Sequence, residues 1–136
     1  MADYLLDTST ISLMVRRDPA VTSKAASLAR DNQLLMPTIV RGEILYGLDR
    51  LPEGDKKRQL SREIFGLFAT FPCISIPPAA GDHYARIKTI AENSGSDLSE
   101  NDLWIAATSL SLNSILVSAD KDFRRIPDLN VEDWSV

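Results

Sequence analysis

Ser99-Glu100-Asn101-Asp102-Leu103-Trp104-Ile105-Ala106-Ala107, running on to Leu116-Val117-Ser118-Ala119-Asp120-Lys121-Asp122-Phe123, is the stretch that decides the reading of the chain. It reads as a helix opened by acids, followed by an apolar strand that ends in two more acids. In a parallel α/β sheet the helix starts and strand ends share one rim, and ligands bind outside the carboxyl ends of the strands. Asp102 and Asp120 are therefore expected to face one cleft.

The rest of the chain supplies the sheet around that stretch. Tyr4-Leu5-Leu6 is an apolar run that stops at Asp7-Thr8-Ser9-Thr10, a strand followed by cap residues. Helices are expected from Ile11 to Val15 and from Pro19 to Ala29, and Leu34-Leu35-Met36 reads as the second strand. Thr38 is expected to cap a helix through Leu51, with Val40, Ile44, Leu45 and Leu48 on one side. A longer amphipathic helix spans Lys56 to Phe71, with Leu60, Ile64, Leu67, Phe68 and Phe71 inward. Cys73-Ile74-Ser75-Ile76 is a strand between prolines, and Ala79 to Asn93 another helix. Ser114 to Ser118 is the fourth strand, and Asn130-Val131 a short fifth. Strands alternating with helices in this way predict an α/β fold, a mostly parallel sheet of four to five strands with helices on both faces.

A chain of 136 residues with 44% hydrophobic and 25% charged residues is expected to form one globular domain with a real core. The formal charge of −4 gives no global attraction to nucleic acid, so such a contact needs local basic patches or bound cations. The single cysteine, Cys73, excludes an intrachain disulfide and suits a reducing, cytoplasmic setting. No signal peptide is expected, and no apolar run approaches the ~20 residues of a membrane span.

Asp7 at the end of the first strand, Glu43 little more than a turn into the helix after the second, Asp102, and Asp120 with Asp122 two residues on could all reach one rim. Packed carboxylates repel and raise one another's pKa unless a cation neutralises them. An all-oxygen set without His or Cys suits Mg²⁺ or Mn²⁺ and not zinc. Ions so held activate a water and stabilise a leaving oxygen, which points to phosphodiester hydrolysis. Each acid also has a local reading. Ser99-x-x-Asp102 has the form of a capping box, Asp7 can cap the first helix, Glu43 can be a solvated flank, and Asp120-Lys121-Asp122 a surface turn.

Leu5-Leu6-Asp7-Thr8-Ser9, Arg41-Gly42-Glu43-Ile44-Leu45-Tyr46-Gly47, Asn101 to Ala107, Leu116 to Phe123 and the ending Arg125 to Trp134 together resemble the PIN-domain family. The resemblance is nearest to the ribonuclease toxins of toxin–antitoxin pairs, the VapC type. Leu51 to Arg58 looks like the branch that contains FitB-type proteins. The likeness spans nearly the whole chain, so residues 1–136 are expected to form a single PIN domain, an α/β/α sandwich. It implies that Asp7, Glu43, Asp102 and Asp120 bind Mg²⁺ (or Mn²⁺) for RNA cleavage, with Asp122 the variable member of the set. Thr8, Ser9 or Ser118 is implied to hold a carboxylate or a metal-bound water. A homodimer is implied too, and an antitoxin whose C-terminal segment occupies the cleft.

Lys121, Arg124 and Arg125 follow the fourth strand and are candidates to hold RNA phosphates beside the cleft. Lys56, Lys57, Arg58 and Arg62 read as a solvated face. Trp104 and Cys73 are expected in the core, and the lone His83 on a helix surface, where no nucleophile motif accompanies it. An aspartyl-phosphate phosphatase requires a second Asp two positions after Asp7, where this chain has Ser9. The remaining alternative is a non-catalytic PIN-like partner protein that binds an ion or a basic peptide.

Overall fold

The computed structural model describes residues 1–136, and one sheet organises them. Along the chain run β1 (Asp3–Leu6), α1 (Thr8–Val15), α2 (Pro19–Leu28), β2 (Gln33–Pro37), α3 (Thr38–Asp49) and α4 (Asp55–Thr70). β3 (Cys73–Ile74), α5 (Ala80–Ser94), α6 (Glu100–Ser111), β4 (Ile115–Val117), a 3-10 helix (Lys121–Arg125) and β5 (Val131–Glu132) follow. The five strands lie in the order β3-β2-β1-β4-β5, and every pairing is parallel. Leu5 of β1 stands beside Leu35 on one side and Leu116 on the other. Leu5, Leu6, Leu116 and Val117 are wholly withdrawn from water, as expected for central strands covered on both faces. Burying each of these side chains contributes about 1.5–3 kcal/mol.

The strand order reverses at the centre of the sheet. From β1 the chain winds outward through β2 to β3, then returns to place β4 on the other side of β1. The carboxyl ends of β1 and β4 therefore part company, which is where an open α/β sheet has its crevice. α1 packs against α2, α3 and α4, while α5 and α6 form the most extensive helix pair. No helix is long and apolar enough to cross a membrane.

Several local expectations shift. The first helix begins at Thr8, because Asp7 already supplies its cap. Pro37, not Thr38, precedes α3; the Thr38 hydroxyl instead donates to the Ile74 carbonyl at 2.9 Å and ties the start of α3 to β3. The third strand shrinks to Cys73–Ile74 on the sheet edge, so Cys73 is exposed and not a core residue. On α4 only Ile64 is fully buried. Leu60, Leu67, Phe68 and Phe71 pack against the core partly exposed, and Phe65 is exposed. Trp104 is half-buried and stacks on Tyr84 of α5, ring centroids 4.0 Å apart. Gly95 ends α5 in the left-handed conformation at φ 67°, which favours a residue without Cβ.

Candidate active site

Asp7 leaves β1 at the crevice. Its amide donates to the Val117 carbonyl at 3.1 Å, so the last ladder bond between β1 and β4 also places this carboxylate. The side chain is 4% exposed and caps α1, with Oδ1 accepting from the Thr10 amide at 2.9 Å and the Ser9 hydroxyl at 2.8 Å. Burial pushes the Asp7 carboxyl above its ordinary range, while the hydroxyl of Ser118 and the groups of Thr10 and Ser9 pull in the opposite direction. The capping role expected for Asp7 is thus real, and it orients the carboxylate within the crevice.

Ser9 spans the gap between the strand ends, since its hydroxyl also accepts from the Ala119 amide at 3.2 Å. The Ser118 hydroxyl accepts from the Asp120 amide at 3.0 Å, and Asp120 Oδ1 accepts from the Asp122 amide at 2.9 Å. Asp120 thereby caps the 3-10 helix that carries Lys121, Arg124 and Arg125, all three exposed. Thr10 was not singled out in the sequence. Its buried hydroxyl donates to the Val117 carbonyl at 2.8 Å and locks α1 to the end of β4. The threonine directly inside a helix cap was the available signal.

Asp102 occupies the first turn of α6. The capping box is formed: its amide donates to the Ser99 hydroxyl at 3.1 Å, and Oδ2 accepts from the Ser99 amide at 3.3 Å. Oδ1 has no partner within the chain. Burial is the largest cause raising the Asp102 carboxyl; the Ser99 bonds lower it, and the charges of Asp120 and Glu43 raise it further. Asp102 on α6 therefore feels the charges of Asp120 at the β4 end and of Glu43 on α3. Asp122 is half-buried and has no such influence on Asp102.

Glu43 is delivered by α3 and held from α1. Its Oε1 accepts the Thr8 hydroxyl at 2.6 Å, between residues far apart in sequence. None of the ion pairs, Lys57–Glu53, Arg58–Asp55, Arg86–Asp128 and Lys88–Glu100, engages Asp7, Glu43, Asp102 or Asp120. The carboxylates thus lack cationic side chains to neutralise them. No three of them converge into a tight ligand cluster. This arrangement fits Mg²⁺, which usually keeps several waters and takes one or two carboxylates directly. Lys57 and Arg58, at the start of α4, are spent on Glu53 and Asp55. His83 lies on α5 with Nδ1 3.4 Å from Arg86 and joins no nucleophile.

A parallel five-stranded sheet with uncompensated acids at its switch point defines the class. The chain belongs to the PIN domain family, whose profile matches residues 4–129. It is 31% identical to Ribonuclease VapC of Rickettsia bellii over 128 residues, which are 93% of this chain and 92% of that one. The crystal structure of VapBC2 from Rickettsia felis, bound to a promoter DNA fragment, superposes with a TM-score of 0.88 at 26% identity, covering 97% of this chain and 98% of that one. FitAcB from Neisseria gonorrhoeae superposes with a TM-score of 0.76 at 28% identity, covering 96% and 97% of the respective chains.

Proposed function

We propose that residues 1–136 act as a single PIN domain that hydrolyses RNA phosphodiester bonds with a divalent metal ion, as the toxin of a toxin–antitoxin pair in the cytoplasm. The observation that carries this reading is the state of Asp102. Its carboxyl is raised by burial and by the charges of Asp120 and Glu43, and no Lys or Arg offsets them. Such a site is incomplete without a cation.

Asp7, Asp102 and Asp120 are the ligand candidates for Mg²⁺, with Mn²⁺ an equivalent hard ion, and Glu43 is the fourth catalytic acid. Asp120 is favoured over Asp122 because its charge reaches Asp102. When bound, the ion lowers the pKa of its water and neutralises charge on the leaving oxygen. The protein's own part is orientation. Thr8 holds Glu43, Ser9 joins Asp7 to the β4 end, and Ser118 holds the backbone at Asp120. Exposed Lys121, Arg124 and Arg125 bind backbone phosphates of the strand entering from the β4 side.

The proposed partners are an antitoxin, whose C-terminal segment fills the cleft, and a second copy of the chain. Exposed Tyr46 and Phe65 supply apolar surface for such contacts.

The test is incubation of purified, antitoxin-free protein with total cellular RNA and Mg²⁺ or Mn²⁺. Discrete fragments, lost with EDTA and in Asp102→Asn, support the proposal. Measured metal binding without cleavage of any RNA would transfer the assignment to a non-catalytic binding protein.

A further inference from the structure

A cavity of about 310 Å³ opens beside Glu43 and Thr8, on the side of the crevice away from β4. Ile44 and Leu48 of α3 and Leu60 and Ile64 of α4 give it an apolar lining, while Ser12 and Arg16 of α1 add polar groups. The Ser12 hydroxyl makes no hydrogen bond within the chain, and the Arg16 guanidinium has no carboxylate partner. α1 runs the length of this space. Asp7 caps its first turn and Arg16 its last, roughly 13.5 Å apart at 1.5 Å per residue. The next residue, Arg17, turns the chain at φ 60°, and the Asp18 amide closes back on the Leu13 carbonyl at 2.9 Å. That closure fixes where the Arg16 side chain departs.

We propose that this cavity receives one unstacked nucleobase of the RNA, next to the phosphate that lies over the carboxylates, with Arg16 as the cation at its rim. The inference rests on the ribonuclease reading above and extends it to a specificity subsite. Three features favour a base. The cavity is lined by Glu43 and by Thr8, the residue that holds it, so a strand that reaches Glu43 from the other carboxylates passes its mouth. Its apolar walls suit the face of a flat ring, and guanidinium groups stack on or pair with nucleotides in recognition of single-stranded RNA. Ser12 and Glu43 place a hydroxyl and a carboxylate where base edges need partners. Lys121 and Arg124 stand on the β4 side, so the strand has cations at both ends of its path.

Asp102→Asn protein, which is expected not to cleave, allows binding to be read by fluorescence anisotropy. A single-stranded RNA that wild-type protein cuts is scanned with an abasic nucleotide at each position in turn. One position bordering the cut should lose affinity by roughly ten-fold, the scale of a single base contact. Adding Arg16→Ala, or Leu60→Trp to fill the cavity, should weaken the intact RNA to the same degree and abolish the abasic penalty. Circular dichroism melting confirms that each variant is folded; Arg16→Ala is at an exposed position and carries the test if Leu60→Trp is not. A flat scan, an abasic penalty that survives in the variants, or an effect confined to binding of an antitoxin peptide overturns the proposal. Failure of wild-type protein to cut any RNA overturns the ribonuclease reading itself and is seen before the scan begins.

Discussion

The Thr8 hydroxyl donates to Glu43 Oε1 at 2.6 Å and so joins the first turn of α1 to the middle of α3. Both elements start from neighbouring strands at the same rim, but only this bond sets the rotamer of the glutamate. Thr8→Val keeps the side-chain shape and removes the donor. It should cost about 1 kcal/mol of stability and lower RNA cleavage roughly ten-fold while leaving binding of RNA intact. Steady-state kinetics with a defined RNA, compared with a denaturant melt, separates the two effects.

Asp7→Asn tests whether the buried acid serves the cap or the chemistry. Asn caps a helix as well as Asp does, so α1 should persist. Burial raises the Asp7 carboxyl, so the folded chain holds that proton more tightly than the unfolded chain. The stabilisation is complete below the ordinary Asp pKa and is lost as pH rises through the raised value, leaving a cost at neutral pH. Removing the charge should therefore keep or increase the metal-free melting temperature at pH 7 and abolish cleavage. A large destabilisation would show the carboxylate to be chiefly structural.

The same sign governs metal binding. A divalent ion needs Asp7 and Asp102 deprotonated, and both carboxyls are raised, mainly by burial. Affinity for Mg²⁺ should fall with acidification at a higher pH than ordinary aspartates would give. Calorimetric titration with Mn²⁺ as the pH is lowered from 7.5 to 5 checks this. No change over that interval would count against a shared carboxylate site.

Ion binding should also stabilise the fold. At a free Mg²⁺ concentration of 100 times the dissociation constant, linkage gives about 2.7 kcal/mol. The rise in melting temperature should be reversed by EDTA and nearly absent in Asp102→Asn or Asp120→Asn. An equal rise in these variants would place the ion elsewhere.

Ser99→Ala removes one half of the capping box at the start of α6. The loss should be about 1 kcal/mol, and cleavage should fall further than stability, because the Ser99 hydroxyl that accepts from the Asp102 amide fixes the first turn from which the Asp102 carboxylate is aimed. Ser99→Thr, which retains the hydroxyl, should restore both.

Much of this site is readable along the chain. Asp7 and Asp120 follow apolar runs that stop abruptly, and Ser99-x-x-Asp102 carries its helix start in its own spacing. In all three cases a short-range cap sets where the carboxylate stands, so local sequence suffices. Glu43 is different. Taken locally it is an acid on a helix flank, and its membership becomes visible only through Thr8 and its charge on Asp102. Cys73 is exposed where a core position is expected for a related reason: an apolar run between prolines resembles a buried strand, but β3 is two residues long at the edge of the sheet.

The sequence by itself determined the alternation of strands and helices, the caps that end them, and an acid set suited to a hard divalent ion, because each follows from spacing within a few residues. The tertiary structure decided the strand order and its reversal between β1 and β4, which opens the crevice. It also decided that Glu43 faces Asp102, that no Lys or Arg neutralises the acids, and that Arg16 ends a cavity beside them. These depend on which distant segments pair and pack, and the energy of such contacts belongs to both partners at once, so neither stretch of sequence carries it alone.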